Sequence, residues 1–322
     1  MSQNTAITVT GLHKRYGDNH VLKGVDLDVP EGSVYALLGP NGSGKTTVVS
    51  ICSTLLKPDG GTIRVAGYDV ERHSDQVRRS IGVTGQFSAI DEFHTGRENL
   101  QLMADLNHLT RGRARTAIDE LLERLELAHA AGRRAQTYSG GMKRRLDLAM
   151  TLIGSPRLIF LDEPTTGLDP RSRRELWRIV REQVADGVSV LLTTQYLEEA
   201  DQLAHRVGVL DGGRIVAEGT PAELKSQVPG GHVEVRFTDA TRLREVAVAI
   251  PEATPDTDSL TLRMANDGVA SLRRLLDRLD DDAVTGLSVQ SADLDDVFLA
   301  LTGRTAGPRD GAQEVAMLEE VR

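Results

Sequence analysis

Hydrophobic and polar residues alternate in two different ways along this chain of 322 residues. Up to about residue 70, the apolar positions form short runs that Gly, Pro, Asp and Asn interrupt, a pattern typical of strands joined by turns. We expect an antiparallel β layer here, around one continuously apolar strand, Val34–Leu38. The strands predicted in this part cover residues 7–10, 25–29, 34–38 and 62–66.

The spacing of apolar residues changes after residue 75 and predicts a helical region up to about residue 150. Beyond it, apolar runs alternate with helical stretches, which favours a mostly parallel sheet covered by helices on both faces. The predicted helices are 98–109, 113–127 and 172–185, and the predicted strands are 157–161, 188–193 and a terminal hairpin of 207–210 and 213–217.

A linker-like stretch, Val228-Pro-Gly-Gly231, predicts a domain boundary. We therefore expect an α/β domain over residues 1–228, a small α+β domain over 229–302, and a flexible polar tail over 303–322. In the second domain, strands are predicted at 232–237, 259–264 and 284–290, and helices at 242–249, 269–279 and 293–301.

Composition narrows the class of protein. The net charge of −9 argues against a general nucleic-acid surface. Cys52 is the one cysteine, which excludes an intrachain disulfide and suits a reducing cytosol; we expect a small buried residue here rather than a reactive thiol. We find no apolar run of 18 residues and no signal peptide, so the chain is not expected to cross a membrane by itself. A membrane-embedded partner remains compatible with this pattern.

The stretch Gly39–Thr47 carries the strongest chemical signal. It fits the pattern G-x-x-x-x-G-K-[ST] and stands between a predicted strand and a predicted helix. Its glycines let backbone N–H groups point at a phosphate, and the helix N-terminus adds partial positive charge. We predict that Lys45 reaches the β- and γ-phosphates of ATP and that Thr46 ligates Mg²⁺. The loop residues expected to bind nucleotide are Gly39, Asn41, Gly42, Ser43, Gly44, Lys45, Thr46 and Thr47.

Two carboxylates end the apolar run Leu158–Leu161. Ligands bind at the carboxyl ends of parallel strands, so Asp162 is suited to hold Mg²⁺ and Glu163 to polarise the water that attacks the γ-phosphate. A solvated acidic turn is the alternative. The segment Ser139-Gly-Gly141 precedes a helix and offers a hydroxyl and close backbone approach to an anion, although alone it describes only an N-cap and a turn.

In combination, these motifs resemble those of the ATP-binding-cassette (ABC) ATPases over about residues 5–225. The resemblance implies a two-lobed cassette, with an ATP-binding phosphate-loop core, an antiparallel β layer and a helical subdomain. It also implies that two copies of the chain sandwich two ATP molecules. The motifs that carry it are Gly39–Thr47, Ser139–Gly141, Leu161–Pro164 and Gly167–Asp169.

The resemblance assigns further roles by position. Tyr16 matches the aromatic residue that stacks on adenine, and a loop tyrosine is the alternative. Gln86 matches the glutamine that reaches Mg²⁺ and the attacking water. Ser139, with Gly140 and Gly141, matches the residues that grip the γ-phosphate of ATP held by the opposite subunit. Asp169 matches the aspartate that acts across the dimer.

Gln195 stands where the family commonly has a histidine that contacts the γ-phosphate. Its amide N–H₂ could donate the same hydrogen bond, or Gln195 could merely end a strand and face water. With the flanking Thr193-Thr-Gln-Tyr-Leu197, it resembles the cassettes of daunorubicin-resistance-type drug exporters. Two further stretches resemble that subgroup, Gly82–Gln86 and Leu294–Thr302.

The sequence therefore predicts the ATP-hydrolysing subunit of an export transporter, a homodimer on the cytosolic face of a separate integral-membrane permease. The expected substrate is a hydrophobic drug, antibiotic or lipid, and the second domain is expected to steady the dimer or the permease contact. The segment Gln86–Asn99 is expected either to dock the permease or to fill the helical subdomain's own core. A soluble ABC ATPase acting on DNA or ribosomes is the rival, and a nucleotide-binding module without turnover is a third option.

Overall fold

The computed structural model describes residues 4–85, 89–227, 231–250, 252–266, 269–279, 283–290 and 293–302. The chain divides into two compact units, one that ends at Pro221 and one that begins at Ala222. The linker-like stretch used to predict the boundary includes residues 228–230, which lie outside the described part.

The first unit contains two sheets. In one, an antiparallel sheet, the strands have the order β2-β1-β4-β5. In the other, the order is β10-β9-β3-β8-β7-β6, where β10 is antiparallel and all other neighbours are parallel. These strands are β1 (Thr5–Tyr16), β2 (Asn19–Pro30), β3 (Val34–Leu38), β4 (Gly60–Val65), β5 (Tyr68–Asp69), β6 (Ile81–Thr84), β7 (Leu158–Asp162), β8 (Ser189–Thr194), β9 (Arg206–Asp211) and β10 (Arg214–Gly219).

The parallel strands form the centre of this unit. Every residue of β3, β7 and β8 is buried, as expected for strands that helices cover on both faces. One hydrophobic cluster joins residues of both sheets and of helix α1 (Lys45–Cys52). Cys52 belongs to this cluster, and burial raises the pKa of its thiol to about 12, so Cys52 is the buried, unreactive residue that the sequence predicted.

Three of the described helices of the first unit begin with a side-chain cap. Helix α3 (Gly96–Leu106) starts with a capping box in which Thr95 and Glu98 satisfy each other's backbone N–H groups. None of the helices in the described ranges is long and apolar enough to cross a bilayer. The other helices up to residue 221 are α2 (Ser74–Ser80), α4 (Arg111–Arg124), α5 (Gly140–Leu152), α6 (Pro170–Ala185) and α7 (Leu197–Leu203).

The second unit is a small α+β fold, as predicted. Its antiparallel sheet has the order β12-β13-β11-β14, and a separate core forms around Val235, Phe237 and Leu243. Its elements are α8 (Pro221–Ser226), which begins at the boundary, β11 (Gly231–Phe237), α9 (Ala240–Ala249), β12 (Thr254–Asp256), β13 (Thr261–Asn266), α10 (Val269–Leu276), β14 (Val284–Gln290) and α11 (Leu294–Thr302).

The predicted helical region required one correction, since residues 81–84 form β6 at the edge of the parallel sheet. The reason is local: Ile81, Val83 and Thr84 are β-branched and therefore favour an extended backbone. The short elements β5, α7, α8 and β12 were not predicted either. The remaining predicted strands and helices are present, with ends that differ by no more than three residues except in β1 and β2, which are each longer than predicted by six residues at one end.

Candidate functional site

The phosphate loop follows β3 and can be built only from glycine at two points. Gly44 precedes α1 with a φ of 110°, a conformation that side-chain-bearing residues rarely adopt. A Cβ at Gly44 would stand 2.7 Å from Leu22 Cδ2, and a Cβ at Gly39 would stand 2.3 Å from the carbonyl oxygen of Leu210. The loop therefore packs closely against β2 and β9 while it turns into α1.

Groups in this loop fit a phosphate. Helix α1 has no side-chain cap and no acidic residue in its first turn, so no carboxylate competes for its N-terminal N–H groups. The Ser43 hydroxyl is buried and has no hydrogen-bond partner among the described residues. Thr46 and Asn41 are exposed at the same end of the helix. An anion at the α1 N-terminus would satisfy donors that the described part of the chain leaves open.

Lys45 connects this loop to the acidic end of β7. Its Nζ donates to the carbonyl oxygens of Gly39 (2.8 Å) and Pro40 (3.2 Å), and lies 3.5 Å from Glu163 Oε1. Burial lowers the pKa of Lys45, and the carboxylates of Glu163 and Asp162 oppose that shift. The sequence-predicted cation and the sequence-predicted base are therefore in contact.

The acidic turn is held by strand β8, which lies between β3 and β7. The Thr193 hydroxyl donates to Asp162 Oδ1, whose carboxylate is almost fully buried. The N–H of Glu163 donates to both the carbonyl and the hydroxyl oxygen of Thr193, at 3.1 Å each. Thr166 Oγ1 lies 3.4 Å from the other carboxylate oxygen of Glu163. These contacts fix Glu163 with a φ of 48°, in the left-handed region.

Oxygen donors at this edge suit Mg²⁺. Asp162 offers a carboxylate and Thr46 a hydroxyl, the ligand types that Mg²⁺ prefers together with water and substrate phosphates. The described residues hold no group of three or more His, Cys, Asp or Glu side chains that could form a complete metal site. That donor set fits an ion held partly by its nucleotide rather than by a protein cage.

Ser139 and Asp169 each cap a helix. Ser139 Oγ accepts from the N–H of Met142 at the start of α5, and Asp169 accepts from the N–H groups of Arg171 and Ser172 at the start of α6. Hydrogen bonds from the Ser172 hydroxyl and from the N–H groups of Ser172 and Arg171 lower the pKa of Asp169. Ser139 and Gly140 are exposed, and Gly141 is half-buried. A Cβ at Gly141 would stand 2.5 Å from Ser172 Oγ, so the two caps belong to one packed corner of the chain.

Two other predicted residues, Tyr16 and Gln195, lie apart from these contacts. Tyr16 ends β1 with about half of its surface exposed, and the Lys14 ammonium lies 5.7 Å from its ring centroid. Gln195 directly follows β8, is half-buried, and makes no side-chain hydrogen bond within the described ranges. Gln86 lies outside the described residues, so its predicted role stays a prediction.

The sequence did not single out Thr193, which touches both carboxylate residues, or Arg144 of α5, which reaches their carbonyl groups. It also missed Glu199, a fully buried carboxylate on α7 that accepts from Trp177 Nε1 at 3.2 Å. The available signal for Glu199 was an acidic residue on the buried face of a short helix, which is rare unless the carboxylate is bonded. Burial raises the pKa of Glu199, while the hydrogen bond from Trp177 acts in the opposite direction.

This raised pKa predicts a pH-dependent stability. A carboxyl group that titrates higher in the folded state adds stability below its unfolded pKa, about 4.3, and loses that contribution as pH rises through the folded value. We therefore expect the stability of Glu199→Gln relative to that of the parent protein to increase as pH rises above the unfolded pKa. Urea unfolding of both proteins at several pH values measures this difference in the free energy of unfolding. The exposed neighbour Glu198, as Glu198→Gln, is the control and should show no such trend; an equal trend in both variants contradicts the interpretation.

Three features together define a phosphate-loop nucleotide site. They are a loop that presents N–H groups at a helix N-terminus, a buried lysine, and two carboxylates at the carboxyl edge of a parallel sheet. The family model described as "ABC transporter" matches residues 22–166. The chain is 49% identical over 305 residues to the daunorubicin resistance ATP-binding protein DrrA3 of Streptomyces coeruleorubidus, covering 93% of this chain and 96% of that one. The chain therefore belongs to the ABC transporter family, and it is an ATPase of that family.

Solved structures agree with this assignment. An ATP-binding subunit of an ABC transporter matches with a TM-score of 0.63 and 29% identity, over 69% of this chain and 93% of that one. A dimeric ATP-binding cassette in a post-hydrolysis state, bound to ADP and Pi, matches with a TM-score of 0.60 and 25% identity, over 66% of this chain and 98% of that one. The α/β cassette core predicted from the sequence is confirmed.

Proposed function

We propose that this chain hydrolyses ATP to drive export of a hydrophobic drug, antibiotic or lipid through a separate permease. The observation that supports the reaction most directly is the 3.5 Å contact between Lys45 Nζ and Glu163 Oε1, which joins a phosphate-binding cation to a general base. The support for the substrate class is the similarity to a daunorubicin resistance protein.

Each residue of the site has a role in this proposal. Lys45 contacts the β- and γ-phosphates, and Thr46 and Asp162 hold Mg²⁺, which when bound offsets phosphate charge. Glu163 accepts a proton from the attacking water and leaves its Lys45 contact to do so. Gln195 donates a neutral hydrogen bond to the γ-phosphate.

The site is completed by a second copy of the chain. In this proposal Ser139, Gly140 and Gly141 of one chain contact the γ-phosphate of ATP held by Lys45 of the other. The α5 N-terminus adds partial positive charge there. Three residues keep the roles that the resemblance implies. Asp169 acts across the dimer, Gln86 reaches the attacking water, and Tyr16 stacks on the adenine ring. The second unit steadies the dimer or the permease contact and has no catalytic role.

The permease contact is placed on the helical subdomain. Phe93, which precedes α3 in the sequence, is 76% exposed. Leu102 and Leu106 are exposed one turn apart on that helix. Asn99, by contrast, is buried and bonded to Asp91 and Thr95, so the end of the predicted docking segment belongs to the subdomain's own structure. In this proposal the chain lies on the cytoplasmic face of the membrane. The net charge of −9 does not favour the rival action on nucleic acid.

Cysteine crosslinking tests this proposal. The native Cys52 is buried with a pKa of about 12, so an introduced surface cysteine would react alone. Phe93→Cys, co-expressed with the permease, should crosslink to it, and Leu55→Cys, at 74% exposure, serves as the control. Inside-out vesicles containing both proteins should also take up daunorubicin only with ATP. Equal crosslinking of both cysteines, or uptake without ATP, contradicts the proposal.

A further inference from the structure

Arg144 lies on α5, five residues after Ser139, and its guanidinium is almost enclosed, with 14% of the side chain exposed. All three of its nitrogens donate hydrogen bonds, and four of the five acceptors are backbone carbonyls. Nε donates to Pro164 O (2.7 Å), Nη1 to Gly85 O (3.3 Å) and Asp147 Oδ2 (3.4 Å), and Nη2 to Asp162 O and Glu163 O (3.2 Å each).

Three of the carbonyl groups that Arg144 holds, those of Asp162, Glu163 and Pro164, belong to the turn that carries the base. Glu163 has a φ of 48° and precedes Pro164, a combination that disfavours ordinary helical alternatives and stores backbone strain. Such a conformation persists only where the surroundings fix it. Thr193 fixes the N–H of Glu163 from one side, and Arg144 fixes its carbonyl group from the other.

Asp147, one turn further along α5, is the charge partner of Arg144. Its carboxylate is buried and also accepts from the N–H of Ala89 at 3.4 Å. Gly85 and Ala89 are the described residues that flank residues 86–88, so the Arg144–Asp147 pair contacts both of them. Burial lowers the pKa of Arg144 and raises the pKa of Asp147, and each charge opposes the shift of the other.

We propose that Arg144 and Asp147 are positioning residues for ATP hydrolysis. They fix the backbone of Glu163 in the conformation that directs its carboxylate to Lys45, and they tie this turn to the helix that Ser139 caps. The inference rests on the proposed role of Glu163 as the base. It predicts a loss of turnover without a loss of nucleotide binding, because among the described residues neither Arg144 nor Asp147 touches the phosphate loop.

Arg144→Lys is the sharpest variant, since it keeps the positive charge and removes the planar fork that reaches several carbonyls. We expect kcat to fall by about 10- to 100-fold while the KM for ATP stays within about threefold, because a small displacement of the base affects the transition state more than the ground state. Asp147→Asn should also lower kcat. Arg178→Lys is the matched control, since Arg178 makes bonds to three glutamates on an exposed surface, and its turnover should not change.

Urea midpoints of all variants separate positioning from folding. A fall in kcat with an unchanged midpoint and KM supports the proposal. Wild-type turnover in Arg144→Lys, or equal losses of turnover and nucleotide binding, overturns it. If Arg144→Lys does not fold, Asp147→Asn provides the same comparison. Glu163→Gln, measured alongside, distinguishes two failures: normal turnover in Glu163→Gln overturns the role of Glu163 itself, whereas inactive Glu163→Gln with fully active Arg144→Lys overturns only the positioning role.

Discussion

Glu163→Gln should reduce ATP turnover by about 10²- to 10⁴-fold, the usual contribution of a general base, while ATP still binds. The amide has nearly the shape of the carboxylate but accepts a proton poorly. The backbone contacts of residue 163 to Thr193 and Arg144 do not involve the side chain, so the turn should keep its conformation. Steady-state release of phosphate and equilibrium binding of ATP measure the two effects separately.

Glu198→Gln provides the control for a lost carboxylate, because Glu198 is exposed and pairs only loosely with Arg173, at 3.5 Å. Its turnover should match that of the parent protein. In addition, Glu163→Gln should accumulate an ATP-bound dimer that gel filtration detects. Unchanged turnover in Glu163→Gln would mean that another group activates the water.

Lys45→Ala should weaken ATP binding by about 10- to 100-fold, since a hydrogen bond to a charged group contributes about 1.5–3 kcal/mol. The lysine is held in place before any phosphate contact, by the carbonyl groups of Gly39 and Pro40 and by Glu163. Its removal deletes the one side-chain cation of the phosphate loop. Titration of the variant with a fluorescent ATP analogue measures the dissociation constant.

Lys57→Ala is the matched control, because Lys57 is exposed and its side chain takes no part in the site. Its ATP affinity should equal that of the parent chain. A Lys45→Ala protein that binds ATP as tightly as Lys57→Ala would remove Lys45 from the phosphate contacts.

The positions of the principal site residues could be predicted because each follows an apolar run. Strands β3, β7 and β8 are continuous buried runs, and parallel strands bring their carboxyl ends to one edge of the sheet. The glycine pattern of the phosphate loop added the chemistry. Lys45 and Glu163 were therefore predicted to act on one nucleotide, and the structure places them in contact.

Other features have no comparable signal in the sequence. Arg144 binds backbone carbonyls, which every residue possesses, so its partners cannot be read from side-chain types. The conformation of Glu163 results from contacts with Thr193 and Arg144, each far away along the chain. The edge strand β6 is only four residues long, and its pattern is hidden between two helical stretches.

In the proposed mechanism each ATP is hydrolysed between two copies of the chain, and mixing two inactive variants tests this arrangement most directly. Lys45→Ala lacks the phosphate-binding cation. Ser139→Asp keeps a good helix cap but places a negative charge against the γ-phosphate. Each variant alone should be inactive, whereas a mixture forms heterodimers with one intact site, made of Ser139 from the first chain and Lys45 from the second. We predict that mixing restores part of the turnover; a mixture as inactive as its components would contradict a site shared between two chains.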